Sequence, residues 1–159
     1  MTMEATFEKL LVRLARAEVR FVVVGGIAVS LQGYVRLTED VDILLDCEEG
    51  NVVRFLESLA DYGEGFAREF NLEDFAPEEG ALRLIEESEG CQLDIFTVMS
   101  GKSYADLAED AEIFKVQGFE VLYASKKSLI ELKSNTVREK DQLDVQALKR
   151  LEEDQGAFD

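Results

Sequence analysis

The sequence predicts an α+β fold in which a mixed central β-sheet is flanked by helices. Three observations lead there. Short apolar, β-branched runs such as Phe21 to Val24 read as buried strands, apolar residues recur at helical spacing near both ends, and turn residues separate the two patterns without any repeat or linker. A chain of 159 residues with 47% hydrophobic content is long enough to bury its own core. One domain spanning 1–159 is expected, with C-terminal helices over 125–154 packed on it.

The elements follow in order. Met3 to Ala17 predicts a helix with Phe7, Leu10, Leu11, Leu14 and Ala17 inward and Thr2 or Thr6 as its cap. Phe21 to Val24 is the first strand, ended by Gly25 and Gly26; Ile27 to Gln32 is a short helix that Gly33 terminates in a left-handed conformation. Asp40 to Leu45 is the second strand, and a helix runs from Val52 to Tyr62. Gly63, Gly65 and Pro77 bracket an irregular acidic region with Phe66, Phe70, Leu72 and Phe75 as anchors. Ala81 to Glu87 and Cys91 to Val98 form a pair of strands about Ser88–Gly90. A short helix at Tyr104 to Asp110 precedes a hairpin, Ile113 to Val116 and Phe119 to Leu122, around Gln117 and Gly118. Ser125 caps a helix ending near Asn135, and a last helix covers Arg138 to Glu153.

Composition narrows the chemistry. With no histidine, two cysteines and no CxxC spacing, neither a zinc site nor a disulfide framework is expected. No stretch reaches the roughly 18 apolar residues of a membrane span, and the N-terminus is amphipathic and charged, so a cytoplasmic protein that does not enter the membrane is expected. The net charge of −17 repels polyanions at long range, but it is uneven. Glu39 to Asp94 carries 18 acidic and 3 basic residues, whereas Lys126 to Arg150 carries 4 acidic and 7 basic.

Within that pattern Asp40 and Asp42 stand out. Two residues apart on a strand, they point to one face while Val41 and Ile43 point to the other. An isolated Asp-x-Asp also suits an acidic strand edge. Asp94 on a second strand, flanked by Leu93, Ile95 and Phe96, is costly to ionise unless it meets a cation. Gly25 and Gly26 follow a buried strand and open a helix, where backbone N–H groups favour a phosphate. Ser30, one turn on, offers a hydroxyl to the same anion. Three carboxylates beside a phosphate cradle suit a two-metal site.

The run VVVGGIAVSLQGYVRLTEDVDIL resembles the signature of the polymerase-β-type nucleotidyltransferase superfamily: hydrophobic strand, Gly-Gly or Gly-Ser, ten to thirteen residues, Asp-x-Asp, and a third carboxylate on a later strand. Gly25, Gly26, Asp40, Asp42 and Asp94 match it. Arg36 and Thr38 are similar to the Arg-x-Thr-x-Asp form of small bacterial members, and Ile27 stands where other members carry a hydroxyl residue. SKKSLIELKSNTVREKDQLDV is similar to the closing helices of the group related to abortive-infection toxin nucleotidyltransferases, with Lys133, Arg138, Lys140, Asp141 and Asp144 at the matching positions.

The resemblance implies an enzyme that moves a nucleoside monophosphate from an NTP to an acceptor, dependent on two Mg²⁺ or Mn²⁺ ions. Asp40 and Asp42 would hold both ions, and Asp94 would complete the catalytic one and help deprotonate the acceptor. Gly25, Gly26, Ser30, Arg36, Thr38, Lys133, Lys140 and Asp141 would bind the nucleotide. The acceptor it implies is RNA or tRNA, a protein, or a cationic small molecule such as an aminoglycoside, and a toxin–antitoxin partner is also implied. The alternative is a catalytically inactive member that binds a nucleotide or a partner, such as an antitoxin.

Overall fold

The computed structural model describes residues 4–34, 38, 40–133 and 139–158, with the side chains of the last helix described over 142–153. Its centre is a six-stranded sheet. In chain order the elements are α1 (Ala5–Arg16), β1 (Phe21–Val24), α2 (Gly25–Leu31), β2 (Val41–Leu45), α3 (Glu49–Leu59), β3 (Leu82–Glu86), β4 (Cys91–Phe96), α4 (Tyr104–Ala108), β5 (Glu112–Val116), β6 (Phe119–Tyr123), α5 (Lys126–Lys133) and α6 (Glu139–Phe158).

The strands lie in the order β3-β4-β2-β1-β6-β5. The pairs β2–β4 and β1–β6 are parallel, and β1–β2, β3–β4 and β5–β6 are antiparallel, so the sheet is mixed as the sequence predicts. Central position explains the composition of β1 and β2: all four residues of FVVV are buried, and so are four of the five in VDILL. The exception in β2 is Asp42. Helix α1 presses Phe7, Leu10, Leu11 and Leu14 into the core against β6 and α3, while α2 packs on β1, β2 and α5.

Local chemistry sets the boundaries, and in places moves them from the predicted ones. Helix α1 starts at Ala5 with no side-chain cap at Glu4; Thr6 lies inside its first turn and Thr2 outside the described residues. Helix α3 starts three residues early because Glu48 caps it, accepting hydrogen bonds from the N–H groups of Gly50 (2.9 Å) and Asn51 (3.1 Å). Gln117 and Gly118 both have positive φ, 50° and 85°, as a two-residue hairpin turn of the primed kind demands. Ser125 Oγ accepts from the Ser128 N–H at 3.1 Å and caps α5 as predicted.

The acidic stretch after α3 is ordered by two 3₁₀ turns, Phe66–Glu69 and Leu72–Phe75. Of its four predicted anchors, Phe75 is buried and meets Phe55 and Phe70 edge-on, with centroids 5.9 and 5.8 Å apart. Phe66 and Leu72 are exposed instead, because short 3₁₀ turns aim successive side chains around the axis and only some reach the core.

Candidate active site

Register assembles the site. Val24, the last residue of β1, pairs with Asp42 of β2; Asp42 pairs with Asp94 of β4; and Asp94 pairs with Arg83 of β3. Directly opposed residues on adjacent strands share a face of the sheet. One transverse row therefore runs from the Gly25 turn through two carboxylates to a guanidinium. Asp40, at the bend just before β2, joins them: Asp40, Asp42 and Asp94 each offer a carboxylate oxygen, and these lie within 4.8 Å of one another.

Three carboxylates this close are electrostatically uncomfortable. The Asp42 carboxyl is pushed up from its usual 3.8 to about 7, first by burial and then by the charges of Asp40 and Asp94. Lys133 at the end of α5 acts in the opposite direction on Asp42, which places its ammonium within electrostatic reach of the cluster. Its Nζ lies 3.1 Å from Asp144 Oδ2 of α6, and Asp144 is 0% exposed. Asp94 is held from the other side by Arg83, whose Nε donates to Oδ1 at 3.0 Å. Gln92 Nε2 sits 3.4 Å from both Asp40 Oδ2 and Asp94 Oδ2.

The glycine turn abuts this cluster. Gly25 has φ +66°, a conformation L side chains rarely adopt, and a Cβ there would lie 1.9 Å from Asp42 Oδ2. Only glycine brings the backbone so close to the carboxylate. The donor set therefore fits a hard divalent cation: oxygen ligands only, clustered, with a backbone turn alongside.

The remaining predicted residues divide. Ser30 in α2 is 2% exposed, and its Oγ finds no hydrogen-bond partner among the described residues. Thr38 is half-buried in the lead-in to β2. Arg36 and Arg138 lie outside the described residues, as do the side chains of Lys140 and Asp141, although α6 includes both positions. Arg83 and Gln92 were not anticipated. Gln92, two residues before Asp94 on one strand, was open to the alternation rule that paired Asp40 with Asp42, whereas nothing local in LRLIE marks Arg83 as the neighbour of Asp94.

A cavity among the described residues lies away from the triad. It measures about 490 Å³, is formed by α1 and α3 and is lined by Lys9, Arg13, Arg16, Glu57 and Asp61, without any member of the triad. Its charges are already matched in part, Arg13 with Asp61 at 2.8 Å.

No family model matches the chain, and no curated protein is similar to it at a significant level. Among solved structures, it is similar to the crystal structure of an antigenic nucleotidyltransferase-like protein from Paracoccidioides brasiliensis, at 15% identity and a TM-score of 0.51. The match covers 91% of this chain and 72% of that one. At this identity the likeness concerns the fold, which is nucleotidyltransferase-like.

Proposed function

We propose that this chain is a Mg²⁺-dependent nucleotidyltransferase that transfers a nucleoside monophosphate from an NTP to an acceptor oxygen. The observation that carries the reading is the convergence of Asp40, Asp42 and Asp94 within 4.8 Å beside the Gly25 turn. Asp40 and Asp42 would hold the divalent ions and Asp94 would complete the catalytic one. Bound Mg²⁺ would supply charge neutralisation on the triphosphate and activate the acceptor oxygen.

The chain's own residues do the rest. Backbone N–H groups of the Gly25–Gly26 turn would hold the triphosphate next to the carboxylates, and Lys133, oriented by Asp144, would add a point charge to it. Asp94 would accept the proton from the acceptor hydroxyl. The acceptor oxygen then bonds to the α-phosphorus as the bond to the α,β-bridging oxygen breaks, and pyrophosphate leaves with that electron pair. Catalysis on this account is positioning and electrostatic stabilisation.

The resemblance of the sequence of α5 and α6 to the closing helices of toxin-like members favours that subgroup, with RNA, tRNA or a protein as the acceptor class. Mass spectrometry of candidate acceptors incubated with each NTP and Mg²⁺ tests the reading. The expected result is a mass increment of one nucleoside monophosphate that disappears in Asp40→Asn and Asp42→Asn. Unchanged turnover in both variants would refute it, and a stable partner complex without any NTP binding would mark the chain as an inactive binding module.

A further inference from the structure

We propose that Arg83 is a displaceable counter-ion of the carboxylate triad, holding Asp94 in the ion-free protein and giving way when a divalent cation binds, so that it sets how tightly the cation is held. This rests on the reading of the triad as a metal site.

Arg83 sits on β3, the edge strand, directly opposite Asp94, and donates from Nε to Oδ1 at 3.0 Å. The two partners differ sharply in burial: the side chain of Arg83 is 59% exposed and that of Asp94 is 8% exposed. A buried carboxylate with two carboxylate neighbours needs positive charge, and in this structure the guanidinium reaches in from solvent to provide it. Its charge is felt by Asp40 and Asp42 as well as by Asp94. The guanidinium and a divalent cation thus serve the same three groups.

The guanidinium can also leave. An edge strand has open space on its outer side, and a long, largely exposed arginine returns to water at small cost. Departure does not require the hairpin to open, because the backbone pairing of β3 with β4 is independent of the side chain. The position in the transverse row is informative too. Gly25 lies at one end and Arg83 at the other, so release of Asp94 puts a free guanidinium on the side of the carboxylates away from the glycine turn. An ordinary cross-strand ion pair would stabilise the hairpin slightly and leave cation affinity alone.

Calorimetric titration of the 159-residue chain with MnCl₂ separates the two. Arg83→Met removes the competing charge and is expected to bind Mn²⁺ about three- to tenfold more tightly than wild type, with a slightly lower melting temperature in chelator. Arg83→Gln repeats the measurement with a polar side chain, and both are expected to fold because position 83 is exposed. Arg83→Lys, which keeps the charge, is expected to stay near wild type. Equal or weaker Mn²⁺ binding in Arg83→Met and Arg83→Gln, with wild type binding normally, would overturn the role of Arg83 and leave the metal site standing. Absence of Mn²⁺ binding in wild type would overturn both.

Discussion

Replacing Asp42 with Asn should stabilise the ion-free protein at alkaline pH while abolishing its response to divalent ions. In the native chain Asp42 titrates near 7, and in the unfolded chain near 3.8, so between these values the folded state holds a proton the unfolded state has lost. Stability from the neutral carboxyl is complete below the unfolded value and is lost as pH rises through 7. The two values correspond to about 2 to 3 kcal/mol of stability lost between pH 5 and pH 8.5. Asparagine cannot ionise, so this part of the slope should vanish in Asp42→Asn.

Urea unfolding of both proteins in chelator at pH 5 and pH 8.5 measures it. Titrating groups outside the triad are common to both chains and cancel in the comparison. A wild-type slope exceeding that of the variant by about 2 to 3 kcal/mol is expected. Equal slopes, or a variant that is less stable at pH 8.5, would mean that Asp42 is not crowded by burial and by Asp40 and Asp94. Cation binding must also expel this proton, so Mg²⁺ affinity of the wild type should rise by up to about tenfold per pH unit below 7 and level off above it.

Three further outcomes follow from the same geometry. Gly25→Ala should cost about 1 kcal/mol for the left-handed backbone and more for a methyl group 1.9 Å from Asp42 Oδ2; in an Asp42→Gly background the contacts with Oδ2, Cγ and Cβ are all removed and only the backbone cost should remain, a non-additivity that a thermal-melt double-mutant cycle would detect. Lys133→Met should cost about 3 to 5 kcal/mol by removing the charge paired with buried Asp144, and should move the Asp42 midpoint above 7 in the same pH series, because Lys133 pulls it down. Asn51→Ala should cost about 2 to 4 kcal/mol in urea unfolding. The Asn51 side chain accepts from Arg20 N–H (2.7 Å) and donates to the carbonyls of Arg20 (3.0 Å) and Asp46 (2.8 Å), tying α3 to the start of β1 and the end of β2.

Much of the fold was legible because its elements are locally consistent. Apolar runs with β-branched residues in β1 and β2, the Gln117-Gly118 turn, and the Ser125 cap each state their conformation within a few residues. The acidic stretch from Gly63 to Glu79 was not, since its order comes from a distant partner. Glu86 of β3 is buried and accepts hydrogen bonds from the N–H groups of Glu64 (2.6 Å) and Phe66 (2.9 Å), while a Cβ on Gly63 would fall 2.5 Å from its Oε2. Sequence distance hides such a pairing. The glycines there looked like loop punctuation; Gly63 is a close-approach position beside this buried carboxylate, and Gly65 is one beside the Arg68 guanidinium.

The site divides along the same line. Asp40 and Asp42 are two residues apart on one chain segment, so the alternation of a strand nominates them together, although Asp40 lies at the bend before β2 and not in the strand. Asp94 could be nominated as a costly carboxylate in an apolar strand, but its placement depends on β2 pairing with β4 in the register that sets Asp42 opposite it. A shift of one residue would turn Asp94 to the other face, where Leu93 and Ile95 are buried in the core. Arg83 depends on that register and on the next one as well, because β3 must pair with β4 so that position 83 meets position 94. Each added strand multiplies the registers a sequence leaves open. Local pattern thus points to the carboxylates, while the cation that balances them emerges only when three strands are aligned. That cation sits on the least buried strand of the row, where it can be exchanged without disturbing the core.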